Sequence, residues 1–479
     1  MITIRFRRNK RMIGCGWPVK YFKVSRDNRD CKDNRVRSFL LLVFLLSAGV
    51  VAPVHFNYAS AAPDQSSSPI PLQKIIDGTA PGEEAVLPEG VYEGPVVIKK
   101  KLKLRGEGEV TLVNRIPSPA VQIQAEGVEV YGIRIDQLEA GESAAVKVVG
   151  DDVRLERLTI NTRGYGIMLR DSDNGIIRQN EITWKGNVDT PSDNKGNGID
   201  LYNSHRNRIE ENQVTRVRDG IYIENSKMTQ ITGNVVSQSR YGIHCMYADG
   251  ALIRGNQGEY NYTGAMIMGV NDSRVIGNTF RLQSSNVNAQ GILLYDVHRS
   301  VVTGNQAEGN RVGIYVDLST DNQIDRNYLQ RNFLGLQLNK SKNNRFQGNS
   351  FIANVLDAVA SGSENNRMNG NYWDSFKGLD PDKDGTSDVP YAINPFYQQL
   401  IESNSAYQLF FQSPGMIFLS DLHMSDTQSW LTDQGPGMKP NSGSVREGAM
   451  NYQGAVLAAG IVMMLGAIYI IRLGVKRHE

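Results

Sequence analysis

The stretch GIDLYNSHRNRIEENQVTRVRD (residues 198–219), followed by GIYIENSKMTQITGNVVSQSRY (220–241) and GIHCMYADGALIRGNQGEYNYT (242–263), decides the fold. Each piece has 22 residues and opens on Gly-Ile. Each places an Ile 11 residues after that Gly (Ile209, Ile231, Ile253) and an Asn three residues later (Asn212, Asn234, Asn256). Apolar residues alternate with polar ones over four or five positions between Gly and Asn punctuation. That is the pattern of short strands joined by turns.

Outward from this core the same columns persist. The Gly pairs are Gly166-Ile167, Gly198-Ile199, Gly220-Ile221, Gly242-Ile243, Gly264-Ala265, Gly291-Ile292, Gly313-Ile314 and Gly335-Leu336, spaced 32, 22, 22, 22, 27, 22 and 22 residues apart. The Asn column runs Asn180, Asn212, Asn234, Asn256, Asn278, Asn305, Asn327, Asn349 and Asn371. A self-similar unit of this size makes a solenoid, each copy burying its apolar face against its neighbours. A leucine-rich repeat needs a Leu ladder and helical spacers, which are missing here. The expectation is an all-β fold: a parallel β-helix with 22-residue rungs over 86–372, preceded by a linker or cap at 62–85. Asn at a corner tolerates left-handed backbone, and stacked copies can hydrogen-bond amide to amide.

The whole chain has 479 residues, 47 Gly and 17 Pro, with a formal net charge of +2. That balance hides an asymmetry. Residues 1–38 carry twelve Lys/Arg against three Asp, leaving a body with 40 basic and 47 acidic residues. An acidic body argues against a nucleic-acid partner, which requires a positive surface. Of three Cys, only Cys245 lies outside the basic leader, so no disulfide framework is available.

After the basic leader comes an apolar run, Phe39 to Val54, and then Ala59-Ser60-Ala61. Charged, apolar and small-residue segments in this order read as a secretory signal peptide over 1–61, cleaved after Ala61. A second run, AVLAAGIVMMLGAIYII (455–471), has 17 uncharged residues followed by Arg472, Lys476 and Arg477. It reads as a single transmembrane helix with a cytoplasmic tail at 472–479, reached through a polar linker at 424–454. The expected localisation is therefore extracytoplasmic, anchored in the plasma membrane.

The two irregular spacings insert ten residues within 181–197 and five within 279–290, both between the corner Asn and the next Gly. The loops leave the solenoid at one edge, and such an edge commonly carries function. Between them, alternation points Ile243/Cys245 and Ala265/Ile267 inward and His244/Met246 and Met266/Met268 outward. Three thioethers and an imidazole suit Cu(I) as a soft donor set. The same methionines suit a plastic contact surface for a protein partner. Asp200, Glu224, Tyr222 and Arg170 nearby would serve either as a sugar groove with paired carboxylates or as an ordinary charged surface.

After the last rung comes Asp380-Pro-Asp382-Lys-Asp384-Gly385-Thr-Ser-Asp388. Alternate carboxylates before a Gly resemble a Ca²⁺ or Mg²⁺ loop, although Tyr391 stands where a calcium loop places Glu. Asp380, Asp382, Asp384 and Asp388 are the candidate ligands, with an Asx-rich turn as the alternative.

Three segments resemble the NosD family, extracytoplasmic accessory proteins for copper-site maturation of nitrous oxide reductase. They are Tyr241-Gly-Ile-His-Cys-Met-Tyr247, NYWDSFKGLDPDKDGTSDVPY (371–391) and SPGMIFLSDL (413–422), the last within a closing and docking segment at 373–423. The resemblance implies a right-handed β-helix seated on an ABC transporter of the NosF ATPase and the NosY permease. It also implies contacts with the copper chaperone NosL and the reductase NosZ, and a non-enzymatic role in receiving copper. The C-terminal tether departs from the family pattern. The alternative reading is a secreted polysaccharide lyase or epimerase.

Overall fold

The computed structural model describes residues 70–283, 289–396, 399–400, 407, 413–422 and 431–441. It shows an all-β, right-handed parallel β-helix of about 13 turns. Three short strands make one coil. In the coil at 208–224 they are Arg208–Glu210, Gln213–Thr215 and Asp219–Glu224. Each pairs in parallel with its counterpart 22 residues on: Ile209 with Ile231, Val214 with Val236, Ile221 with Ile243. The register never slips across these rungs, because a shift of one residue would turn every inward Ile out to solvent.

The core is a set of columns. Ile199/Leu201, Ile221/Ile223, Ile243/Cys245, Ala265/Ile267 and Ile292/Leu294 all point into the cylinder and are buried. At one corner the Asn column forms a continuous ladder. Asn256 Nδ2 donates to Asn278 Oδ1 (2.9 Å) and to Ile231 O (2.9 Å), while its Oδ1 accepts from Asn234 N (2.9 Å) and Asn234 Nδ2 (3.0 Å). Each amide is thus fully used inside the core, which buried polar groups require. The left-handed residue at this corner is the one before each Asn: Glu211 (φ 56°), Gly233 (φ 68°), Gly255 (φ 63°), Arg326 (φ 51°). The Asn itself carries the hydrogen bonds, and the preceding residue, often Gly, makes the turn. A second ladder that the repeat columns did not reveal runs at another corner through Asn261, Gln283, Asn310, Asn332 and Asn354.

The solenoid is closed at both ends. Helix Leu72–Gly78 buries Leu72 and Ile76 against the first coil. At the other end Trp373 stacks on Phe351, with centroids 4.0 Å apart. The segment read as a linker, 424–454, is partly docked here. Thr432–Asp433 joins the sheet beside Arg367–Asn369, with Met368 opposite Asp433. The buried Asp433 Oδ2 accepts from Asn371 Nδ2 (2.8 Å), Asn371 N (3.1 Å) and Trp373 Nε1 (3.1 Å). The last Asn of the ladder needs an acceptor where no further coil exists, and a carboxylate supplies it.

Among the described residues no helix is long and apolar enough to cross a membrane. The segments read as a signal peptide (1–61), a transmembrane helix (455–471) and a cytoplasmic tail (472–479) lie outside the described residues.

Candidate functional site

The site residues sit on two adjacent rungs, Tyr241–Met246 and Thr263–Met268. The register pairs His244 with Met266 and Met246 with Met268, so the four side chains form a two-by-two array on the outer side of one sheet. Adjacent rungs are ~4.8 Å apart. Met246, Met266 and Met268 are partly exposed, as alternation requires. Cys245 faces the core, and burial pushes its thiol well above the ordinary range.

His244 differs from the sequence expectation. It lies on the outer side but is only 6% exposed, so it is not displayed to solvent. The edges of two aromatic rings enclose it: Tyr222 with centroids 5.0 Å apart and Tyr241 at 4.9 Å. Its Nδ1 is 3.0 Å from Asp219 Oδ2, and its Nε2 is buried with no hydrogen-bond partner. Asp219 is 1% exposed and receives two bonds from Arg240, Nε to Oδ1 and Nη2 to Oδ2, both 2.8 Å. Burial raises the pKa of Asp219, but the hydrogen bonds from His244 and Arg240 and the charge of the guanidinium outweigh it and hold the carboxyl below its usual value.

Asp219 and Arg240 were missed by reading the repeat. The available signal was parity: Asp219 precedes Gly220 by one, on the side that alternation gives to Ile221 and Ile223. An acid at such a position demands a cationic partner.

The insertion at 185–197 reaches this site. It contains a single 3-10 turn, Ser192–Asn194, and Asp193 Oδ1 lies 3.3 Å from Arg240 Nη1. The inserted loop is thereby tied to the residue that supports Asp219. Part of the second insertion, residues 284–288, lies outside the described residues.

The acids suggested for a sugar groove are engaged internally. Asp200 is buried, with Asn197 Nδ2 2.6 Å from Oδ2 and Arg170 Nη1 2.7 Å from Oδ1. Burial raises its pKa, and Arg170 only partly opposes this. Glu224 accepts from the Tyr222 hydroxyl at 2.6 Å, and that hydroxyl also lies 3.5 Å from Met246 Sδ.

At the closing motif, Asp380, Asp382 and Asp384 each bring a carboxylate oxygen within 4.8 Å of the others; Asp388 stands outside this group. The carboxylates already accept from the turn's own amides: Asp384 N and Gly385 N to Asp380 (both 3.1 Å) and Thr386 N to Asp384 (2.7 Å). Gly385 makes the bend at φ 90°. These are the hydrogen bonds of an Asx-rich turn, and they leave the three carboxylates grouped closely enough to hold a cation.

Residues 185–378 match a family described as "Periplasmic copper-binding protein (NosD)", and residues 144–218 match a right-handed β-helix region. A curated protein of Stutzerimonas stutzeri, "Probable ABC transporter binding protein NosD", is 28% identical over 179 residues. That alignment covers 36% of this chain and 39% of the relative, so the chain spans about two fifths of the length of the curated protein it matches. Among solved structures, a mannuronic acid specific family 6 lyase from human gut microbiota is 14% identical with a TM-score of 0.47, covering 73% of this chain and 95% of its own. The AlgE6 A-module of the Azotobacter vinelandii mannuronan C-5 epimerase is 15% identical with a TM-score of 0.45, covering 63% of this chain and 88% of its own. At such scores these neighbours carry no argument about activity.

Proposed function

We propose that this chain, similar to the NosD family over residues 185–378, is a non-enzymatic, extracytoplasmic accessory protein that takes Cu(I) as cargo on the rungs of His244 and Met266. The observation that carries this reading is the His244 Nε2: a buried nitrogen without a partner, on a residue in register with Met266, with Met246 and Met268 at the next outward positions of the two strands. A buried polar atom left unpaired is costly unless something binds it. An imidazole and three thioethers are neutral, soft donors, which favour Cu(I) over hard cations such as Ca²⁺ or Mg²⁺. The description of the matched family as copper-binding supports the choice of cargo.

The proposed setting is a β-helical platform beside an ABC transporter, supported by the wording of the curated relative's name. The finer assignment is that the NosF ATPase and NosY permease form that transporter, that NosL delivers copper, and that the platform presents it to the reductase NosZ. The apolar run at 455–471 would tether the platform to the membrane.

The test is an anaerobic Cu(I) competition titration of the full chain. Replacing Met266 and Met268 together with Leu keeps volume and removes two donors. We expect affinity to fall by about tenfold or more, equivalent to ~1.4 kcal/mol or more, with the thermal unfolding midpoint unchanged. Unchanged Cu(I) affinity in the double variant, or no Cu(I) uptake by the wild-type chain, overturns the assignment.

A further inference from the structure

Beyond the donor set itself, we infer that Asp219 is the positioning residue that makes His244 a ligand, by fixing which ring nitrogen carries the proton. This role is filled before any metal arrives. It rests on the copper reading only for its consequence.

Asp219 Oδ2 accepts from Arg240 Nη2 at 2.8 Å and faces His244 Nδ1 at 3.0 Å. Oδ1 accepts from Arg240 Nε, also at 2.8 Å. A carboxylate held by a bidentate guanidinium is an acceptor only and cannot rotate away. The imidazole nitrogen that faces it must therefore be the donor. In a neutral imidazole the other nitrogen then keeps its lone pair, so Nε2 is the acceptor. That is the nitrogen with no protein partner. Tyr222 and Tyr241, edge-on to the ring, limit its rotation out of this pose. The three groups thus convert a ring with two interchangeable nitrogens into one with a preset lone pair.

Arg240 has a separate role. Its Nε and Nη2 serve Asp219, while Nη1 faces Asp193 of the 185–197 insertion at 3.3 Å. The Asp193 side chain is 75% exposed, so this outer contact is screened by water. The clamp on Asp219 stands without it.

Substituting Asp219 by Asn distinguishes this from a merely structural role. The Asn side chain keeps the shape but has one oxygen and one amino group for three donor contacts. Turning the oxygen to Arg240 Nε places the amino group against His244 Nδ1, and this favours the tautomer with hydrogen on Nε2. The readout is the long-range ¹H–¹⁵N spectrum of the metal-free full chain labelled in its six His, with the His244 signals assigned by His244→Gln. In the wild type, Nδ1 should show the shift of a protonated ring nitrogen and Nε2 that of a bare one. Asp219→Asn should mix or reverse the pattern and lower Cu(I) affinity by ~10–100-fold, as outer partners of metal ligands typically do. Asp219→Glu should restore the wild-type tautomer in part, and Asp193→Asn should leave it unchanged.

A wild-type ring protonated on Nε2 overturns the inference at once, whether or not the variants fold. So does an Asn variant with the wild-type pattern. If the tautomer shifts as expected but the wild-type chain takes up no Cu(I), the copper reading falls while the positioning role stands.

Discussion

Asp357 shows how a single side chain can set the pH response of the closing end. Its carboxylate accepts from the Ser375 hydroxyl, which lies 3.3 Å from the Tyr391 hydroxyl, and Asp374 is nearby. Burial, reinforced by the charge of Asp374, pushes its pKa up to about 7, although the bond from Ser375 opposes the rise. A carboxyl raised in the folded state favours folding fully below its unfolded value of ~3.9 and progressively less up to about pH 7. Asp357→Asn removes the ionisation. It should leave stability near that of the wild type at pH 4 and exceed it by ~2 kcal/mol at pH 8. Each tenfold gain in proton affinity is worth ~1.4 kcal/mol, and contact with water at this partly exposed position reduces the total. Urea midpoints at the two pH values measure this. An equal effect at both would show that Asp357 is not titrating.

Site residues were legible in the sequence to the extent that parity governs them. Met246, Met266 and Met268 followed from alternation alone. The enclosure of His244 did not, because it depends on Tyr222 one rung before it and on Tyr241 in its own strand. Neither ring's direction is encoded in the period. Asp219 and Arg240 are 21 residues apart on successive coils, a spacing that becomes visible as contact only once the 22-residue register is drawn out residue by residue.

The corner ladder belongs to the scale of the element. One Asn in it makes four side-chain hydrogen bonds, so its removal orphans groups on the preceding coil and takes one of two donors from Asn278 on the next. Asn256→Ala leaves Ile231 O and the side-chain amide of Asn234 without their partners. Each buried unsatisfied group costs ~1–3 kcal/mol, and the expected loss is about 3 kcal/mol or more, seen as a drop in the urea midpoint. Asn256→Asp should be comparably damaging, since a carboxylate cannot donate. The ladder was legible because the same residue recurs at one phase. The second corner was less so, because Gln283 interrupts its Asn series and Ser239 and Val217 hold the corresponding places in the two coils before Asn261. Assigning the left-handed turn to Asn missed the recurring Gly-Asn pair, in which the two residues divide the work.

The whole molecule depends on what covers its ends. A chain stopped at residue 424 would lose Asp433 and expose the edge of the final coil, with Asn371 and Trp373 deprived of their acceptor. Open sheet edges recruit other edges. We expect such a truncation to lower the thermal midpoint and to produce concentration-dependent association in light scattering, while a chain ending after 441 remains monodisperse. Nothing in the sequence pattern pointed to this cap. It is a two-residue strand set 62 residues beyond Asn371 in a polar stretch, outside every repeat column.

Because each coil touches only its neighbours, the solenoid is also a ruler. Five steps separate the rung of His244 from the last Gly-column rung, Leu356–Ser361. At ~4.8 Å a step, a cargo bound at His244 as proposed would ride about 24 Å from the closing end, and excising one 22-residue coil between them would shorten that reach by a fifth without changing either chemistry.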